Sequence, residues 1–115
     1  MSEAADRLRD ALIERVTGGP GVASASSRQA AFANADVDPR AAALVDKVAR
    51  NAWKVTETDV AAVKAAGMPE DEIYELVVCA ALGQASRQRR AAMACLAEAR
   101  AAQERRGSEG GGDGR

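Results

Sequence analysis

The sequence predicts an all-α fold, a helical bundle of about five to six helices, and three observations point to it. Alanine is abundant, whereas Phe32, Trp53 and Tyr74 are the only aromatic residues among 115. Small side chains must therefore supply most of the buried surface, and helices pack in that way more readily than sheets do. Apolar residues also recur at helical spacing, and glycine, proline and helix-capping residues separate the segments that carry them.

Chain length sets the expected domain organisation. A chain of 115 residues is long enough for one small domain but not for two independent cores. We predict one domain over residues 1–106 and a disordered, glycine-rich tail over residues 107–115, because GSEGGGDGR has nothing to bury. A domain this small and this poor in large apolar side chains leaves much of its surface exposed, so we expect a homo-oligomer.

The N-terminal part of the chain predicts one regular helix and one short one. A first helix over residues 3–16 has Ser2 as its N-cap, and the glycine and proline residues at positions 18–21 end it. Its apolar face consists of Ala5, Leu8, Leu12 and Val16. Residues 22–34 are weakly patterned and predict a loop followed by one short helix with Phe32 as its anchor.

A further helix is predicted to open at Asp38 and Pro39 and to run to about Ala52. Proline is favoured at the first helical position, where its missing N–H costs nothing. The shared face of this helix consists of Ala41, Leu44, Val48 and Ala52.

The segment from residue 56 onward predicts a helical hairpin at the centre of the fold. Thr56 and Asp59 have the spacing of a capping box, which starts a short helix ending at Ala66, and Gly67 follows as the residue able to adopt a left-handed conformation. Pro69 then opens the second helix, and the acidic residues after it favour the positive end of the helix dipole.

The body of this second helix, residues 73–82, is apolar nearly all round. Such a helix has to be covered on most sides, which makes it the candidate centre of the domain or of a subunit interface. A separate last helix is predicted over residues 85–106, with Ala85, Ala92, Leu96 and Ala99 on its apolar side.

Charge excludes some classes of function. A net charge of −1 argues against binding to nucleic acid or to a membrane surface through bulk electrostatics. Residues 57–75 hold six acidic residues and one lysine, a net charge of −5, whereas residues 84–106 hold six arginines and two glutamates, a net charge of +4. Opposed charge on successive segments suits helices that lie side by side within a subunit or across an interface, and it equally suits two solvated faces.

Two more specific roles are also weighed against the sequence. In a helix-turn-helix reading of residues 56–82, the second helix would carry three acidic residues in its first turn toward the phosphates, so we expect no nucleic-acid binding. Residues 1–12 are too charged for a secretory signal, and the chain has no run of 18 apolar residues, so we expect no membrane partner and a cytoplasmic protein.

Cysteine placement indicates no metal site and no disulfide framework. Cys79 and Cys95 stand sixteen residues apart in apolar helical contexts, and the chain contains no histidine. We therefore predict two buried thiols that behave as small hydrophobic residues, with no metal and no cofactor.

The hairpin also carries a resemblance. Residues 53–84, WKVTETDVAAVKAAGMPEDEIYELVVCAALGQ, resemble the helical hairpin of the carboxymuconolactone decarboxylase / alkylhydroperoxidase-D-like family in the order and spacing of helix, Gly-Met-Pro break and apolar helix. Redox members of that family carry a Cys-x-x-Cys-x-x-x-His run. Matched from Gly67, those positions fall on Ala52, Val55 and Asp59, and the glutamate of the family's proton relay falls near Arg40. The resemblance therefore implies the fold without the thiol chemistry.

Large aromatic and charged groups gather where the family's site lies. The candidate residues are Arg50, Trp53, Lys54, Asp59 and Tyr74, with Asp46 beside them. In one interpretation they line a modified pocket in which the cations hold a small anionic or aromatic ligand between aromatic walls. In the other, Trp53 and Tyr74 are core aromatics, Asp59 caps its helix and the bases are solvated.

These observations predict an oligomeric helical binding or interaction module that has lost the cysteine redox centre of its family, a pseudoenzyme. One alternative is a non-redox enzyme resembling the lactone decarboxylase branch, which the absence of histidine disfavours because that branch is expected to use histidine for proton transfer. The other is a residual peroxidase that uses a relocated thiol at Cys79.

Overall fold

The structure, a computed structural model, describes residues 3–113 and the side chains of residues 3–108. Within this part of the chain there are five α-helices, one 3-10 turn and no strand, which confirms the predicted all-α fold. The elements are α1 (Glu3–Gly18), α2 (Ala25–Ala33), α3 (Ala42–Asn51), the 3-10 turn (Ala52–Lys54), α4 (Glu57–Ala65) and α5 (Glu70–Asp113). Ser2, the predicted N-cap of α1, lies outside the described residues.

The chain divides into two compact units with the boundary between Ala85 and Ser86. Unit 1 holds α1 to α4 and the first part of α5, and unit 2 holds the rest of α5. The predicted single domain over residues 1–106 stays a prediction.

The core of unit 1 is built from small and branched aliphatic side chains, as the composition requires. Its buried members are Ala23, Ala31, Ala41, Leu44, Val45, Val48, Val63, Met68, Ile73, Leu76, Cys79 and Ala80. Phe32 of α2 packs against this cluster as predicted, and so does Val16 of α1. Every helix of unit 1 therefore contributes at least one side chain to one contiguous core.

The predicted hairpin of α4 and α5 is present, together with its predicted capping box and turn glycine. The carboxylate of Asp59 accepts from the Thr56 amide at 2.8 Å, which forms the reciprocal half of a capping box. Gly67 has a φ of 104° after the last residues of α4, where a side chain would be strained. The acidic first turn of α5 follows directly.

Two predicted boundaries are wrong. Helix α3 begins at Ala42 because the residues after Asp38 form a turn, in which the Ala41 amide donates to the Asp38 carbonyl at 2.9 Å. The predicted break between residues 82 and 85 is absent, since α5 is one helix from Glu70 to Asp113.

Gly83 lies inside α5 and does not mark the end of a helix. A Cβ at this position would overlap the carbonyl oxygen of Phe32, so the glycine serves a close approach of α2 to α5 and not a turn. A glycine inside a helical pattern is ambiguous in sequence, because turns and close packing both select it.

Helix α5 includes residues 107–113, for which the sequence predicts disorder. Each glycine in a helix costs about 1 kcal/mol relative to alanine. The disorder of this end in solution stays a prediction, and residues 114–115 lie outside the described part of the chain.

Candidate functional site

Unit 1 carries an apolar groove between α1 and α5. It encloses about 490 Å³. Its lining residues are Leu12, Arg15, Val16, Pro20, Arg28, Tyr74, Glu75 and Val78. We call this surface the α1/α5 groove.

Large apolar side chains on both walls of the groove are open to solvent. Leu12 is 52% exposed, Tyr74 52% and Val78 53%. Leu8, one turn before Leu12 on the same face of α1, is 73% exposed, and Val22 beside Pro20 is 60% exposed. The apolar face predicted for α1 is thus real but largely uncovered, and the all-apolar segment of α5 is buried on one side only.

Arg28 and Glu75 form the polar floor of the groove. The Arg28 side chain is 5% exposed overall and donates to the backbone carbonyls of Ala23 at 3.1 Å, Val16 at 2.9 Å and Gly19. Its Nε also lies 3.9 Å from Glu75 Oε1. This buried guanidinium is satisfied mainly by carbonyl groups, as a buried cation must be.

Glu75 completes the connection from α5 to the loop between α1 and α2. Its two carboxylate oxygens accept from the amides of Val22 at 2.8 Å and Ala23 at 3.0 Å. A Cβ at Gly21 would approach both Glu75 and Arg28, so the loop fits closely around this pair. Sequence reasoning missed both residues, although Glu75 is the one charged residue in the apolar run 73–82 and could have signalled a buried partner.

Cys79 lies one turn after Glu75 and is fully buried as predicted. Its Sγ is 3.8 Å from the Val16 carbonyl, and burial raises the pKa of its thiol. A protonated thiol closed off from solvent is a poor nucleophile. Cys95, in unit 2, is exposed, so the prediction that both thiols are buried is wrong for this one.

The structure brings only some of the predicted site residues together. Trp53 and Lys54 share the 3-10 turn, and Lys54 Nζ lies 5.0 Å from the Trp53 ring centroid. Arg50, at the end of α3, pairs with Asp46 at 2.7 Å. Trp53 is 79% exposed, so the interpretation of Trp53 and Tyr74 as core aromatics is wrong.

Asp59 and Tyr74 are each committed to other partners. Asp59 pairs with Lys47 at 2.9 Å, and Lys47 together with the Thr56 amide holds the pKa of the Asp59 carboxyl below its ordinary value. The Tyr74 hydroxyl donates to Glu70 at 2.8 Å, which raises the pKa of Tyr74. Tyr74 lines the α1/α5 groove and a cleft beside α4, and neither recess includes any of the other four predicted site residues in its lining.

Positions matched to the family's redox residues hold no thiol chemistry. Ala52 belongs to the 3-10 turn, Val55 packs against the core and Asp59 caps α4. Arg40, near the matched position of the relay glutamate, pairs with Asp38 at 2.8 Å. Among residues 3–108, whose side chains the structure describes, no group of three or more histidine, cysteine or acidic residues could hold a metal ion.

Three acidic residues of the segment 57–75 have their partners inside unit 1. Asp59 pairs with Lys47, Glu70 with Lys64 at 3.1 Å, and Glu75 faces Arg28. The predicted pairing of this segment with the basic residues 84–106 stays a prediction. Within the described chain, no helix combines the length and apolar character needed to cross a membrane.

Comparison with protein-family models, with curated proteins and with solved structures finds no match for this chain. The proposals below therefore rest on the geometry of unit 1 and on the residues that carry the resemblance.

Proposed function

We propose that this protein is a helical binding module, without thiol redox chemistry, whose α1/α5 groove takes up the apolar surface of a partner. The observation that carries the proposal is the exposure of Leu8, Leu12, Tyr74 and Val78 around one recess. Monomeric proteins rarely expose contiguous apolar patches beyond a few hundred Å², and patches of that kind mark interaction sites.

A rigid frame supports the groove. Arg28 and Glu75 tie the loop between α1 and α2 to α5, so both walls are held against the same pair of buried Arg28 and partly buried Glu75. A surface that is preformed loses less conformational entropy on binding than one that must be ordered first. This frame favours a binding role.

The resemblance to the carboxymuconolactone decarboxylase / alkylhydroperoxidase-D-like family remains part of the proposal. It is supported by the hairpin of α4, Gly67 and α5, and by the place of Ala52, Val55 and Asp59 at the redox positions. A pseudoenzyme that keeps the hairpin and lacks the reactive groups fits these features. The burial of Cys79 weighs against the alternative of a relocated peroxidase thiol.

A small anionic or aromatic ligand at Arg50, Trp53 and Lys54 also remains a prediction. Exposed and stacked, Trp53 and Lys54 could receive a flat anion, although Arg50 is already held by Asp46. The emission of Trp53, the single tryptophan, reports directly on titration with aromatic carboxylates. An unchanged spectrum up to millimolar ligand would exclude this site.

The groove itself is tested with the apolar dye 8-anilinonaphthalene-1-sulfonate at submicromolar protein. We expect the folded chain to enhance dye fluorescence, and Leu12→Asp or Val78→Asp to abolish the enhancement while the circular dichroism spectrum is unchanged. Leu96→Asp is the matched control, because Leu96 is 56% exposed and lies in unit 2. Equal loss in Leu96→Asp, or no enhancement by the wild type, would contradict the proposal.

A further inference from the structure

We propose that the partner of the α1/α5 groove is a second copy of this chain, packed groove to groove about a twofold axis. This inference rests on the proposed function and names the partner for the same surface. A twofold interface uses one patch on both subunits, so the patch has to be complementary to itself in shape and in charge.

The charged side chains on and beside the groove suit a second copy of the chain. Arg15 lines the groove at the C-terminal end of α1, and Asp71 stands one turn before Tyr74, on the α5 face that carries Tyr74 and Val78. Neither Arg15 nor Asp71 has an ion pair within the described part of the chain. The groove thus offers one cation without an ion pair on its α1 wall, and Asp71 supplies one anion without an ion pair on α5, one turn before the lining residue Tyr74.

A twofold rotation places the α1 wall of one copy against the α5 wall of the other. Each Arg15 then meets the Asp71 of the opposite copy, and the two ion pairs form at both edges of the apolar centre. A partner of a single charge sign would satisfy one of these side chains and repel the other. Complementary charge of this kind determines the choice of partner more than it determines affinity.

The apolar area of the groove and its flanks also suits an interface between two copies. Five large apolar side chains, each with more than half of its surface open, amount to roughly 400 Å² of apolar area, which is within the range of about 300 to 600 Å² for the largest patch on a typical monomer. A standard interface buries about 800 Å² per partner, of which somewhat more than half is apolar. The groove and its flanks therefore supply about the apolar area that one such interface needs. The large apolar side chains of this patch are Leu8, Leu12, Val22, Tyr74 and Val78.

A charge swap in the full chain tests this arrangement, with the dimer dissociation constant measured by sedimentation equilibrium. Arg15→Asp and Asp71→Arg are each expected to weaken association at least about tenfold, because each places two like charges face to face. The double variant Arg15→Asp with Asp71→Arg is expected to return to within about threefold of the wild type, because the pairs re-form with reversed sign.

The control is Arg7→Asp, which makes the same change of charge on α1 at roughly 140° around the helix from Leu12. It is expected to leave the dissociation constant unchanged. Thermal unfolding checks that each variant folds, and Arg15→Gln and Asp71→Asn replace any reversal that does not. A double variant as weak as the singles, a control as weak as Arg15→Asp, or a wild type that stays monomeric would overturn the proposal.

Failure of this inference is distinguishable from failure of the proposed function. If the wild type is monomeric while Leu12→Asp still abolishes dye binding, the groove binds another partner and only the second-copy inference is lost. If the dye signal per chain falls as protein concentration rises, the second copy competes for the groove, which supports the inference. If neither dye nor second copy binds, both proposals fall.

Discussion

At the scale of single residues, Arg28 has the largest structural consequence. It lies in a short helix of nine residues, yet its guanidinium reaches the C-terminal end of α1, the following loop and Glu75 of α5. The loop that borders the groove therefore depends on one buried cation. Nothing in the alanine-rich pattern around residue 28 marks this arginine as buried, because arginine is mostly exposed in proteins.

Replacement of Arg28 by methionine should lower the free energy of unfolding by about 3 to 5 kcal/mol, because three carbonyls lose their hydrogen-bond donor and the Glu75 carboxylate loses its neighbouring cation. Arg50→Met is the matched control. Its guanidinium makes an exposed ion pair with Asp46, which is worth roughly 0 to 1 kcal/mol. Urea denaturation of the two variants measures the difference, and equal costs would show that Arg28 is not the anchor described here.

The two thiols should differ sharply in reactivity. In the native protein, Cys95 should react with an aromatic disulfide reagent within seconds to minutes, whereas Cys79 should react only after unfolding, because it is buried and burial raises the pKa of its thiol. Cys95→Ser and Cys79→Ser assign the two phases. Peroxide turnover with a dithiol donor should proceed only at the background rate in the wild type. Turnover above background that is lost in Cys79→Ser would instead support the alternative of a relocated peroxidase thiol.

At the scale of helices, the sequence predicts best where local chemistry decides. The start of α4 follows from Thr56 and Asp59, and its end follows from Gly67, because both depend on residues within one turn. The predicted start of α3 is wrong by a few residues. The Asp38 carboxylate accepts from the amide and the guanidinium of Arg40 within a turn, and it does not cap the helix. Gly83 lies inside α5 and packs closely against α2, a contact that only the tertiary structure reveals.

Gly83→Ala should destabilise the protein, although glycine to alanine inside a helix ordinarily stabilises by up to about 1 kcal/mol. The added methyl group would overlap the backbone of Phe32, so α2 and α5 must separate at their closest approach. Gly18→Ala, at the end of α1 where nothing lies within 4 Å of an added Cβ, is the control and should be neutral or stabilising. Melting temperatures decide, and a stabilised Gly83→Ala would show that the helices are not in this contact.

The cap of α4 gives a pH dependence. Because Lys47 and the Thr56 amide lower the pKa of Asp59 in the folded state, its contribution to stability is present above the unfolded pKa of about 3.9 and is lost as pH falls through the folded value. The stability difference between the wild type and Asp59→Asn should therefore be present near neutral pH and vanish in acid. Denaturation curves across that range measure it. Glu14→Gln, an exposed carboxylate without an ion pair in the described chain, controls for loss of charge, and a gap that persists in acid would exclude the cap as its origin.

At the scale of the whole molecule, the fold was more predictable than the site. Helical periodicity and capping residues are local signals, so the all-α class and the hairpin follow from them. The prediction of a site around Trp53 rests on residue type alone, and the structure shows Trp53 exposed to solvent. The groove could not be predicted from the sequence, because its walls come from segments about sixty residues apart.

Both apolar surfaces that form the groove are nevertheless predictable from the sequence. The apolar face of α1 and the all-round apolar character of residues 73–82 predict surfaces that require cover, and both remain partly uncovered in unit 1. What the pattern cannot supply is which face of α5 the core takes. Ile73, Leu76, Cys79 and Ala80 are buried, and Tyr74 and Val78 are left outside.

In the arrangement that we propose, two copies of this protein associate through the α1/α5 groove, and two-dimensional ¹H–¹⁵N NMR spectra of the full chain at increasing concentration test this association most directly. Concentration-dependent shifts or broadening of amide signals should map to residues 8–16 and 71–82, the two walls of the groove. Shifts centred instead on residues 50–54 or on unit 2, or spectra that do not change with concentration, would contradict the account.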